Sequence, residues 1–149
     1  LCMDEQTQAT LTAANRAIVK YRGAYAKWAA LHHMNYNEML VLYTIRESGY
    51  CTQKQICTDF LLPAQTIHNV ISGMRRAGLL RICEEHCSGH EKAFVLTEAG
   101  QAYAQPVMDN LLAVEEDAIA AMGTEKLQAI ASLMTAYNEA LIHAMQKNL

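Results

Sequence analysis

The sequence predicts a mainly α fold: a winged helix-turn-helix with a two-stranded β-hairpin wing, set between long dimerisation helices. Three observations predict it. Apolar residues recur at spacings of three and four through residues 5–33 and again beyond residue 98, which is the helical period. Between these stretches, residues 51–78 hold two short amphipathic segments separated by a turn at Pro63. Residues 79–96 then change to alternation broken by Ser88-Gly89, the pattern of a hairpin.

Each element has its own reason. In the first helix Leu11, Ala14, Ile18, Tyr21, Tyr25 and Trp28 form one stripe, with Ala17, Ala24 and Leu31 beside it. So wide an apolar band needs a partner along its length. Gly23 costs about 1 kcal/mol against alanine there, and suits a close crossing or a bend. Asn35 with Glu38 is a capping box. It opens a helix that buries Met39, Leu42, Tyr43 and Ile45 and that Gly49 closes. Thr52 with Gln55 caps the next, QKQICTDFLL, with Ile56, Phe60 and Leu61 expected inward. Pro63 fits the first turn of the following helix, where a missing N–H is harmless. Ile67, Val70, Ile71 and Met74 are its buried face, leaving Thr66, His68, Asn69, Ser72 and Arg76 outside or at the margin.

In the hairpin, Leu80 and Ile82 share a face with Phe94 and Leu96, so Arg81, Cys83 and Glu85 should look outward. Thr97 caps a long helix with stripes at Val107, Leu111, Val114, Ala118 and Ala121 and at Met108, Leu112, Ile119 and Met122. Gly123-Thr124-Glu125 ends it and caps the last helix, whose apolar positions are Leu127, Ile130, Met134, Tyr137, Leu141 and Met145.

Composition bounds the function. With 149 residues, 52 % hydrophobic and 18 % charged, the chain is one domain's worth of globular protein and too apolar to be disordered. No apolar run approaches the roughly 18 residues that span a bilayer. Five cysteines is an odd number, and no secretory signal precedes them, so free thiols in the cytoplasm are expected. Leu1 is not a natural start, so the true N-terminus is expected to lie beyond it. The net charge is −3, yet residues 51–97 carry five basic against four acidic residues, a mild bias of the right sign for a nucleic acid. Gly-rich phosphate loops, nucleophile elbows and paired carboxylates are missing, which argues against an enzyme.

The element order, together with GLLRI…AFVLTEAGQAY around the hairpin, resembles the MarR family (multiple antibiotic resistance regulators). The resemblance covers the whole chain as a single domain, 1–149. It implies a helical dimerisation region at 5–34 and 98–149 and a DNA-binding lobe at 35–97. It implies a homodimer on a pseudo-palindromic operator in double-stranded DNA, altered by a small aromatic or lipophilic effector, with no membrane partner. The stripes 11-14-18-21-25-28 and 127-130-134-137-141-145 suit intertwined helices.

On this reading Gln65, Thr66, His68 and Asn69 reach base edges; Asn and Gln can pair bidentately with adenine. Lys54, Gln55, Ser72, Arg75 and Arg76 are placed for phosphates, which position without specifying sequence. MarR-like wings usually carry Asp-x-Arg; here Ser88 and His90 stand at those positions. Lys92 and His90 are the remaining cation candidates, and Glu84, Glu85 and Glu91 would repel phosphate. The effector candidates, near where the family's pocket forms, are Tyr21, Tyr25, Trp28, His32, His33 and Tyr36.

The wing also holds Cys83, His86, Cys87 and His90, residue types that ligate zinc. Their spacing matches no familiar finger or ribbon, and an exposed polar wing with incidental thiols is the simpler reading. A metal-responsive regulator, a Cys83–Cys87 thiol switch, and an interaction module without DNA binding are the alternatives.

Overall fold

The computed structural model describes residues 2–149. The element order is α1 (Glu5–Leu31), α2 (Tyr36–Ser48), β1 (Cys51–Thr52), α3 (Gln53–Phe60), α4 (Ala64–Arg76), β2 (Leu80–Ile82), a 3₁₀ turn (Glu84–His86), β3 (Ala93–Leu96), α5 (Glu98–Met122) and α6 (Thr124–Lys147). The fold is mainly helical with a small antiparallel sheet, a winged helix. The chain divides into two compact units, residues 1–107 and 108–149.

The first unit holds the winged lobe, and local sequence sets its elements. The Asn35–Glu38 capping box is present in both directions, with Glu38 N–H on Asn35 Oδ1 at 2.9 Å and Asn35 N–H on Glu38 Oε2 at 3.0 Å. Gly49, at φ 83°, ends α2 in the left-handed conformation that favours glycine. Thr52 Oγ1 accepts from Gln55 N–H at 3.0 Å and starts α3. The core is Met39, Leu40, Val41, Leu42 and Ile45 from α2, Ile56 from α3, and Ile67, Ile71 and Met74 from α4, closed by Leu80 and Phe94.

One expectation is corrected here. Phe60 and Leu61 do not face inward; they are 37 % and 74 % exposed. The helix stops at Phe60 because Leu61 takes a left-handed conformation (φ 49°) and gives its N–H to Cys57. Pro63 disfavours helix at the residue before it, so the chain has to leave the helix there. The expected hairpin is present as β2 and β3, and a third strand joins it: β3 lies between β1 and β2, pairing Cys51 with Phe94 and Leu80 with Leu96.

Cys51, in β1, is fully buried, and burial pushes its thiol up to about 12 from an ordinary 9.0. Burial also raises the phenols of Tyr36 and Tyr103. These groups hold their protons more tightly folded than unfolded. Their contribution is full below pH 9 and is lost as pH rises toward 12. The Cys51 share is at most about 1.4 kcal/mol per pH unit. Denaturant unfolding from pH 8 to 11 should therefore show falling stability, with a shallower slope in Cys51→Ala; equal slopes would contradict this.

The second unit contains the end of α5 and all of α6. Leu111 of this unit is 1 % exposed, whereas α6 has no buried residue. Leu127, Ile130, Leu133, Tyr137, Leu141, Ile142 and Met145 all lie open. In the first unit α1 buries only Ala29 and exposes Val19, Tyr21 and Leu31. Among the described residues no helix is long and apolar enough to cross a membrane.

Candidate nucleic-acid interface

The site is built on α4. Its buried face fixes its rotation, and Gln53 fixes its start: the Gln53 amide donates to the Ala64 carbonyl at 3.2 Å, joining the first turns of α3 and α4. Gln65, His68 and Asn69 are then exposed, and Thr66 and Ser72 are half-buried. The Gln65 amide donates to Asn69 Oδ1 at 2.8 Å, one helical turn away. That bond ties two base-reading candidates together on the exposed face of the helix. Near the C-terminus of the helix Arg75 and Arg76 stand exposed, and the Arg75 guanidinium lies 5.5 Å from the Phe94 ring centre, a cation–π contact that orients it.

The wing faces this helix across a groove of about 840 Å³. Lys54 and Cys57 of α3, His68, Ser72 and Arg75 of α4, and Ser88, His90, Glu91 and Lys92 of the wing line it. Six of the sequence-predicted residues thus meet in one place: Lys54, His68, Ser72, Arg75, His90 and Lys92. Gln65, Thr66 and Asn69 share the helix but do not line the groove. Gln55 is half-buried on α3 and also does not line it. Arg76 lines a neighbouring hollow with Ser72, Arg75 and Arg81. Arg81 was expected outward but not as part of the site. Its signal was the alternation of β2, which puts it opposite the core residue Leu80.

The acidic residues count against this basic surface. Glu91 lines the groove and has one carboxylate oxygen, Oε1, enclosed without a hydrogen-bond partner. Glu84 and Glu85 are exposed at the 3₁₀ turn. The wing tip is closed by reciprocal backbone bonds between Ser88 and Glu91 (3.1 and 2.9 Å), with Gly89 at φ 59°.

The wing ligand set differs from the expected one. Cys83, Glu85 and His86 come together, their ligand atoms all within 4.8 Å of one another. Cys87 and His90 do not join them. The Cys87 thiol is instead committed to the wing's own backbone, donating to Cys83 O at 3.3 Å and accepting from Ala93 N–H at 3.4 Å. His90 sits in the groove. The 3₁₀ turn explains the exchange, because it folds residues 84–86 back where a continuing strand would have separated them. All five cysteines are free thiols.

The effector candidates lie along α1 and its exit. Tyr21 and Tyr25 meet edge to face at 5.1 Å, Trp28 and His32 are 4.6 Å apart, and Arg22 lies over the Tyr36 ring at 5.1 Å. His33 is exposed at φ 59°. The rings therefore make two local pairs on and just beyond α1, and Tyr36 is met by a cation instead.

Fold and groove define the class: a winged helix-turn-helix protein whose α4 presents a polar, exposed face. Residues 32–89 match the model of the MarR family. It is similar over 94 % of its length to the MarR family regulator NMB1585 from Neisseria meningitidis, at 26 % identity and a TM-score of 0.84, covering 99 % of that chain. It has the fold of AbsC, a MarR family transcriptional regulator from Streptomyces coelicolor (18 % identity, 96 % and 99 % covered, TM-score 0.76). BpsR of Bordetella bronchiseptica, whose DNA binding is regulated by 6-hydroxynicotinic acid, shares it too (16 % identity, 90 % and 99 % covered, TM-score 0.65). No curated protein matches the chain in sequence.

Proposed function

We propose that the protein is a homodimeric, DNA-binding transcriptional regulator, and that a small aromatic molecule alters its hold on DNA. The observation that carries this reading is the groove in which Lys54, His68, Ser72 and Arg75 face Lys92 of the wing, beside an exposed Gln65–Asn69 pair. Helix α4 enters the major groove with Gln65, Thr66, His68 and Asn69 toward the bases. Lys54, Ser72, Arg75, Arg76 and Arg81 hold phosphates. The open apolar residues of α1 and α6 support a second copy as the partner that covers them. The two reading helices of the dimer then lie about 34 Å apart, one turn of DNA. The effector site belongs at Trp28, His32, His33 and Tyr36, with Tyr21 and Tyr25 nearby. BpsR, with its 6-hydroxynicotinic acid, is the precedent for an aromatic effector.

The test is the affinity for a duplex from upstream of the protein's own gene at two salt concentrations. Each phosphate contact contributes about 0.9 to the logarithmic salt slope. Preference over random duplex together with a steep slope supports the reading; equal affinity and no slope refute it. In the same assay Glu91→Gln should tighten binding several-fold, because it removes a negative charge from the groove at nearly constant shape. Unchanged or weaker binding would mean that phosphate does not approach the wing.

The acidic wing favours a second reading, a winged-helix module that docks protein. Under that reading both duplexes bind equally poorly.

A further inference from the structure

The wing contains a feature that the DNA reading does not use. Cys83, Glu85 and His86 project a thiol, a carboxylate and an imidazole to within 4.8 Å of one another. The His86 ring is stacked on Tyr50, 4.1 Å between centres and 6° from parallel, so one ligand is already oriented by a neighbouring element. Cys83 is half-buried at the end of β2, with its backbone N–H tied to Ala93 O at 2.9 Å. Two of the three ligands are thus held by the fold, and exposed Glu85 is free to close on them.

We propose that Cys83, Glu85 and His86 form a three-ligand site for a zinc-class divalent transition ion, through which the charge of the wing responds to metal. Zinc ligands at about 2.0–2.3 Å stand roughly 3.5 Å from one another, so the three groups need to close by only about 1 Å. The donor set selects the metal. Thiolate and imidazole suit zinc and its neighbours, whereas magnesium and calcium require oxygen throughout. Three protein ligands leave a fourth position for water. Binding displaces the Cys83 thiol proton and adds two positive charges, so the wing becomes more positive by one unit. It does so where Glu84 and Glu85 otherwise oppose phosphate. This consequence for DNA rests on the DNA-binding reading; the site itself does not.

Cobalt(II) titration of the reduced protein tests the site without DNA. The expected result is one equivalent per chain, with a thiolate-to-cobalt charge-transfer band and the visible bands of a tetrahedral ion, both displaced by zinc. Cys83→Ser should abolish the charge-transfer band, His86→Ala should weaken binding at least tenfold, and Cys87→Ser should leave it within twofold. Glu85→Gln, at an exposed position, should weaken it without touching the fold, and provides the test if Cys83→Ser is unstable. No band, a band that survives Cys83→Ser, or one that depends on Cys87 and not on His86 would overturn the site. With the site filled, zinc should tighten DNA binding several-fold in the wild type and not in His86→Ala. Zinc-independent DNA affinity would overturn the charge response. Absence of DNA binding with and without metal would refute the functional reading, while the cobalt titration would stand.

Discussion

In the proposed dimer, glutamate at both Ile130 and Leu141 is expected to leave a monomer and to weaken DNA binding by at least about a hundredfold. The expectation starts from α6. It has no buried residue, and its apolar residues stay open: Ile130 is 50 % exposed and Leu141 38 %. Burying a leucine or isoleucine yields about 1.5–3 kcal/mol, so a second copy covering this stripe gains from several such residues at once. A twofold interface repeats every substitution. Two glutamates per chain would place four carboxylates in one apolar contact, each costing several kcal/mol to desolvate. Within the chain both positions are open and glutamate is a good helix former, so helicity should be retained. Size-exclusion chromatography with light scattering checks the mass, and duplex titration checks the affinity. A dimeric double variant with unchanged affinity would show that α6 is not the interface.

Gly100→Ala is expected to destabilise the lobe by about 1–3 kcal/mol, the cost of overpacking a filled site. A Cβ at Gly100 would fall on the carbonyl oxygen of Leu79, with Leu96 Cδ2 at 3.1 Å on another side. Neither can retreat. Leu79 O accepts from Thr97 N–H at 3.0 Å, and Leu96 is in β3, paired with Leu80. Thr97 deepens the lock, because its hydroxyl donates to Gly78 O at 2.5 Å and accepts from Gly100 N–H at 3.0 Å. The exit from the wing into α5 is therefore one knot. For a chain of this size the loss corresponds to about 2–4 °C of melting temperature per kcal/mol. Gly23→Ala is the control, since nothing lies within 4 Å of a Cβ there; in a monomeric background it should raise helix stability by about 1 kcal/mol. A Gly100→Ala melting curve superimposable on wild type would contradict this packing.

How much of this was legible in the sequence depended on whether the cause was local. The Asn35 and Thr52 caps, the buried face of α4 and the Leu80–Phe94 face of the hairpin follow from residues a few positions apart, and the structure has them. Strand β1 was missed because two residues, Cys51 and Thr52, are too short to show a period. They become a strand only because β3 offers an edge. Phe60 and Leu61 continued a helical pattern, and their apolar character hid the exit that Pro63 imposes two residues later. Arg81 was placed on the correct side of β2, but its nearness to Arg75 and Arg76 is tertiary. The wing shows the limit best. Composition picked out Cys83, His86, Cys87 and His90, yet the 3₁₀ turn exchanged two of these for Glu85, a residue read only as a repulsive charge.

In the proposed dimer two copies of α4 read one face of a duplex. Footprinting of the DNA upstream of the protein's own gene should show two protected half-sites related by a pseudo-twofold axis, with centres about one helical turn apart, both lost together in the Ile130→Glu, Leu141→Glu variant. Protection of a single half-site that persists in that variant, or uniform protection without boundaries, would contradict it.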